Sequence, residues 1–270
     1  MHCIFCKRST ESSKSKEHIL PESLGNYNTV LQRGIVCDKC NNYFSIKIER
    51  PLLESPYFKF LRFSHRLPNK RGAIPYSTLF SSAGVNVDMQ IEQDDNLSIC
   101  ATKETCEGIL IKHILNNSSL TLYQPIPNGP DPLLLSRLLA KMGLEYLALR
   151  ISHIPGWEDD VIYHIALDDI RNHARLGGPS VWSFTGRDLY SSKNNFPDGS
   201  CNVEILNEMT LLYTDECNLI FIACILGIEY GIDLSNRYPA PYLDWLSQNR
   251  FESPLYPGNP SFACNQIKIM

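Results

Sequence analysis

Apolar residues recur at helical spacing over residues 133–150, where Leu135, Leu138, Leu139, Met142, Tyr146 and Leu149 share the period of a helix. The mostly apolar surface of this helix predicts burial on more than one side. Arg137, Lys141 and Glu145 interrupt it as a polar stripe at steps of four, with Lys141 and Glu145 spaced to pair. A shorter helix is expected at 167–176, stopped by Gly177-Gly178-Pro179, with Arg171 and Arg175 on one face, either as an anion site or, the favoured reading, for surface or structural pairing. Elsewhere the period falls to two. Val85, Val87, Met89 and Ile91 alternate as in a half-buried strand. Asp94-Asp95-Asn96 then turns the chain, and Leu97 and Ile99 begin a return strand. Residues 203–213 and 219–232 read as two more strands, the second apolar enough to be central. Residues 108–115 are apolar without a decisive period. Residues 124–132, with four prolines and a glycine, predict a loop and an internal boundary, and 238–260 predicts irregular packing.

The first fifty residues follow another logic. Cys3-x-x-Cys6 and Cys37-x-x-Cys40 are two knuckles thirty residues apart, the ligand spacing of one tetrahedral Zn²⁺ held by four thiolates. Between them, 17–20 reads as a short strand ended by Pro21, and 31–36 as a second apolar run. Asn41 is suited to cap a helix from about Asn42 that buries Phe44 and Ile48 and stops near Pro51. So short a module buries too little apolar surface to be rigid alone, so the metal supplies folding energy. Loss of Cys37 is expected to unfold this module and spare much of the rest. The six other cysteines, Cys100, Cys106, Cys201, Cys217, Cys224 and Cys264, lack ligand spacing and are expected as buried small hydrophobes. Cysteine use and the start of the zinc site at Cys3 fit a cytoplasmic protein without a signal peptide.

Glu17-His18-Ile19-Leu20-Pro21 between the knuckles, with Asn41-Asn42 directly after Cys40, resembles the HNH endonuclease family in its four-cysteine, zinc-stabilised branch. The resemblance covers about residues 3–54. It implies a ββα-metal fold in which His18 is the general base and Asn41 fixes the loop carrying it, Asn42 taking that role if the register shifts by one. It implies Glu17 and Glu49 as ligands of a catalytic Mg²⁺ or Mn²⁺. Glu49 stands where His, Asn or Asp is more usual, and His65 is a reserve ligand. A neutral-pH base and a hard cation with oxygen ligands suit phosphodiester hydrolysis. The family further implies DNA as substrate and a bacterial restriction or phage-defence setting.

Charge agrees with that placement. Residues 1–71 carry 13 Lys and Arg against 6 Asp and Glu, a net of +7, while 72–270 carry 12 against 23, a net of −11. Within the basic part, 57–71 mixes aromatic residues with Lys59, Arg62, Arg66, Lys70 and Arg71. This stretch serves either as phosphate contacts or as an amphipathic helix with solvated cations. No run reaches a membrane span of ~18 apolar residues, and no glycine-rich phosphate loop points to ATP. The expected class is therefore α+β: an HNH-like module at 1–55, a basic exit at 56–72, and a larger α+β domain at 73–270. That domain would sense a ligand, bind a partner or set target choice; oligomeric state is open. The competing reading is a non-catalytic, zinc-dependent nucleic-acid-binding or scaffold protein.

Overall fold

The computed structural model describes residues 1–270 apart from 27, 70, 93–95, 118, 126 and 191–206. Lys70, Cys201, Asp94, Asp95 and the start of the strand expected from 203 lie outside the described residues. Backbone contacts gather the chain into two compact units, Met1–Leu52 with Asp131–Met270, and Leu53–Pro130. The division proposed from sequence, at 55 and 72, follows function along the chain. The contacts instead join the first 52 residues to the C-terminal half, and one border falls inside the Pro-rich stretch at 124–132. Both units combine helices with antiparallel sheet, the α+β class.

The chain opens with β1 (Glu17–His18) paired antiparallel to β2 (Val30–Leu31), Glu17 opposite Leu31 and His18 opposite Val30. Each strand is two residues long, shorter than the expected runs. The apolar residues beyond them, Ile19, Leu20, Ile35 and Val36, turn into the core instead of extending the ladder. α1 (Asp38–Phe44) begins earlier than Asn42. Its cap is Cys37, whose sulfur accepts the Cys40 amide at 3.4 Å, so the knuckle itself supplies the capping acceptor and Asn41 lies within the helix. The helix also passes Pro51 instead of stopping there. One π-turn, Ser45–Glu49, leads into α2 (Arg50–Leu53). The wider turn accommodates a proline that lacks a donor for the preceding turn. Phe44 and Ile48 are buried as expected, with the Phe5 ring edge-on to Phe44 at 4.5 Å.

The second unit begins with α3 (Pro56–Ser64), capped by Ser55. β3 (Ser77–Ser81), β4 (Asn86–Ile91) and β5 (Leu97–Ala101) follow, then α4 (Glu107–Asn116) and β6 (Leu122–Tyr123). Their sheet runs β5-β4-β3-β6. The ambiguous 108–115 is thus helix, docked by Leu110 on Leu79, Val87 and Ala101.

The chain returns through α5 (Pro132–Ile151), whose cap Asp131 accepts the Leu134 amide at 2.9 Å, and α6 (Asp168–Leu176). β7 (Phe184–Asp188), β8 (Glu208–Tyr213), β9 (Leu219–Ile225), β10 (Ile228–Asp233), α7 (Ala240–Gln248) and β11 (Lys268–Ile269) complete the fold, with sheet order β11-β7-β10-β9-β8. The expected strand 219–232 is a hairpin. Leu226 and Gly227 have φ of 53° and 86°, the two-residue turn that a following glycine permits. Part of 238–260 is helical where irregular packing was expected. Tyr242 and Leu246, one turn apart, bury against Ile220 and Ile222 of β9, and Pro241 sits in the first turn, where no donor is required. Of the cysteines outside the knuckles, Cys224 is buried, Cys106 and Cys264 are half-buried, and Cys100 and Cys217 are exposed. Among the described residues the expectation of buried hydrophobes holds fully for Cys224 and in part for Cys106, which packs against the Leu79 cluster, whereas Cys100 lies on the edge strand β5 and Cys217 in a turn.

Candidate zinc centre and active site

The four knuckle sulfurs converge. The ligand atoms of Cys3, Cys6, Cys37 and Cys40 all lie within 4.8 Å of one another, with Cys6 and Cys37 sulfurs 3.6 Å apart. Zinc–sulfur bonds of ~2.3 Å in a tetrahedron set sulfur–sulfur edges near ~3.8 Å, so the donor set fits a closed structural Zn²⁺ site. The Cys37 amide donates to Cys3 sulfur at 3.4 Å, which steadies sulfur that carries charge. The hydrogen bond with the Cys40 thiol pulls Cys3 down to about 5, against the effect of burial.

The second knuckle also holds the approach to β1. Asp38 accepts the amides of Lys14 at 3.0 Å and Ser15 at 2.9 Å and the Ser15 hydroxyl at 2.6 Å. The Ser15 hydroxyl, then its amide, hold the Asp38 carboxyl below its ordinary value. The Asn41 amide donates to the Lys16 carbonyl at 3.2 Å, one residue before Glu17. Asn41 is therefore in contact with the loop that leads to His18. Asp38 was not singled out from sequence; its place inside the second knuckle was the available signal.

His18 is half-buried. Its Nε2 lies 3.1 Å from Glu22, and its Nδ1 is buried without a partner among the described residues. Glu17 and Glu49 do converge, but on Lys141 of α5. The Lys141 ammonium is 0 % exposed and stands 2.6 Å from Glu17, 3.1 Å from Glu49 and 3.1 Å from Glu145. It also reaches the carbonyls of His18 at 3.3 Å and Ile19 at 3.4 Å. Burial works against the ammonium, yet Glu145, Glu17 and Glu49 outweigh it and hold its pKa well above the ordinary lysine value. Burial likewise pushes Glu145 and Glu17 up, with Lys141 opposing in both. In this conformation the two carboxylates do not fit a divalent ion, because an ammonium takes the point where their oxygens meet. Sequence reasoning paired Lys141 with Glu145 but missed its contact with Glu17 and Glu49. The signal in the sequence was the polar stripe of Arg137, Lys141 and Glu145 along a mostly apolar helix.

α6 adds further ties to the module. Arg171, 2 % exposed, donates to the carbonyls of Ile4 at 2.7 Å and of Val161 and pairs with Asp168, and Lys7 reaches Asp168 at 2.7 Å. The expected structural pairing of Arg171 is what the fold shows.

The basic stretch is mixed. Arg62 is buried, and its Nε and Nη2 find no partner among the described residues. Phe58 and Phe63 turn that face of α3 inward, so Arg62 is not an exposed phosphate contact. Lys59 is half-buried, 5.9 Å over the Tyr76 ring, while Arg66 and Arg71 are exposed. His65 spends Nδ1 on the Leu61 carbonyl of its own helix at 2.9 Å. Beside the zinc site, an open cleft of about 400 Å³ is lined by Arg8, Lys39, Tyr43 and Arg175 with Cys6, Cys37 and Cys40.

Residues 3–56 match the family model described as HNH endonuclease. This segment is an HNH module. The match begins at the first knuckle and ends at Pro56, the first residue of α3, so it contains the cysteines, His18, Asn41 and Glu49. No curated protein and no solved structure matches the chain. The HNH endonuclease family implies a nucleic-acid substrate. No helix among the described residues is long and apolar enough to cross a membrane.

Proposed function

We propose that the HNH module hydrolyses DNA phosphodiester bonds with His18 as general base. The observation that carries this reading is the family match over 3–56, in which His18 lies between two convergent zinc knuckles and Asn41 contacts the loop before it. With Glu22 engaging Nε2, Nδ1 is the nitrogen left to accept a proton from water. That nitrogen is buried here, so water would reach it in another conformation of the site. Glu17 and Glu49 would hold Mg²⁺ or Mn²⁺, which would stabilise charge on the phosphate, in a state where Lys141 has left them. Phosphate contacts would come from Lys59, Arg66 and Arg71, with Lys70, and from Arg8, Lys39 and Arg175 in the cleft beside the zinc site. Sensing or target choice would fall to the residues beyond 72, in a cytoplasmic restriction or phage-defence setting.

The test is plasmid nicking by zinc-loaded protein with Mg²⁺ or Mn²⁺, beside His18→Ala. Cleavage lost in the variant, with DNA binding retained, is the expected result, because a base acts on water and binding rests on phosphate contacts. Equal cutting by both proteins would remove His18 from the mechanism. One observation favours a second reading, a zinc-dependent nucleic-acid-binding protein without catalysis: the carboxylates meant for a metal are bound to an ammonium.

A further inference from the structure

We propose that Lys141 is an internal cation that closes Glu17 and Glu49 to divalent ions, so that the module rests in a closed state until α5 releases it. The inference rests on the reading of those two carboxylates as metal ligands.

Five oxygens surround the Lys141 ammonium within 3.4 Å: one each from Glu17, Glu49 and Glu145, and the carbonyls of His18 and Ile19. An ammonium has three protons to donate. For charge balance, Lys141 needs a single carboxylate, and Glu145, one turn along the same helix and 0 % exposed, already provides it. Bringing Glu17 from β1 and Glu49 from the π-turn to the same nitrogen adds buried negative charge, which a purely structural pair would avoid. Among the described residues, oxygens of Glu17 (Oε2) and Glu145 (Oε1) are left buried without a hydrogen-bond partner.

The ammonium and that ion exclude each other. Mg²⁺ binds carboxylate oxygens at ~2.1 Å. An ion bridging Glu17 and Glu49 would need the volume Lys141 Nζ fills at 2.6 and 3.1 Å from them. The same side chain pins the backbone of the base residue through the His18 carbonyl, while His18 Nδ1 stays out of water. One helix thus holds the carboxylates and the base strand together. α5 reaches the sheet at its other contacts: Tyr146 donates to the Met209 carbonyl of β8 at 2.8 Å, and Gly143 lies close against Phe221 of β9. A shift of α5 on that sheet would withdraw the ammonium and open the carboxylates together.

The experiment measures Mn²⁺ binding to the zinc-loaded full chain by electron paramagnetic resonance, without DNA. Wild type is compared with Lys141→Met and with Lys141→Met/Glu145→Gln, which also removes one buried charge in case the single variant folds poorly. Zinc content and circular dichroism report folding. Either folded variant should bind one Mn²⁺ at least about tenfold more tightly than wild type. Adding Glu49→Gln should abolish the gained site. A wild-type Mn²⁺ site as tight as the variants' and dependent on Glu49 would overturn the proposal, as would folded variants that gain nothing. If neither variant loads zinc, Lys141 is a structural residue and the proposal falls. A variant that gains Mn²⁺ but never cuts plasmid would refute the nuclease reading alone. A variant that cuts without gaining Mn²⁺ would refute the closed-state reading alone.

Discussion

Removing zinc should loosen far more than the first fifty residues. The perturbation is Cys37→Ser, or chelation of the bound metal. Strands β1 and β2 are two residues each, so little backbone ladder survives once the knuckles open. Structural zinc supplies ~10–16 kcal/mol in isolated fingers, as much as the whole net stability of a typical domain, ~5–15 kcal/mol. The structure then extends the damage. Arg171 would lose the Ile4 carbonyl, a hydrogen bond to a charged group worth ~1.5–3 kcal/mol. Lys141 would lose Glu17, Glu49 and two carbonyls, and breaking a buried pair costs ~3–5 kcal/mol. Together these remove on the order of 5–8 kcal/mol from the residues holding α5 and α6. Hydrogen exchange read by mass spectrometry, with and without chelator, is the assay. Amides of 1–52, α5 and α6 should lose protection together, while β3, β4 and β5 of the other unit keep theirs. If α5 and α6 exchange at the zinc-loaded rate while 1–52 exchanges freely, the buried ties carry no energy and the module folds by itself, as its sequence suggests.

Other outcomes follow from single side chains. Arg62→Met should raise stability by ~1–3 kcal/mol, because a guanidinium buried with two unpartnered nitrogens is replaced by an apolar chain. The same variant should leave the salt slope of DNA binding unchanged, whereas neutralising a true phosphate contact flattens it by ~0.9. Gly231→Ala should cost ~1–3 kcal/mol by thermal melting, since a Cβ there would stand 2.4 Å from the Tyr242 ring, which Glu229 holds through its hydroxyl. A melting point equal to wild type would mean the ring can move. His173 is buried against Ser136 and pulled from 6.5 down to about 4 by burial, with Arg137 and Arg237 adding to it. The unfolded chain therefore binds its proton first on acidification, so this stability is complete above pH 6.5 and is lost as pH falls toward 4. The loss is about 2–3 kcal/mol, the lower value allowing for screening. Urea titrations from pH 7 to 4 should show it in wild type and a flatter profile in His173→Gln; parallel profiles would refute it.

Much of the fold was legible because the governing information is local. The knuckles follow from two-residue spacing, α5 from its apolar period, and β4 and β5 from alternation, each a property of neighbouring residues. The errors are also local in origin. Cys37 displaced Asn41 as the cap because sulfur is an acceptor too, and Gly227 split one apolar run into a hairpin because positive φ was available there. The candidate site divides along the same line. Cys3, Cys6, Cys37, Cys40, His18 and Asn41 sit in a motif whose order along the chain is itself the signal. The tertiary structure alone decided what Glu17 and Glu49 face and that Arg62 turns inward. Lys141 lies more than ninety residues from Glu49 in sequence, yet its ammonium is 3.1 Å from that carboxylate. A buried charge must find its partners wherever packing brings them, and no period or spacing in the chain encodes which three carboxylates those will be.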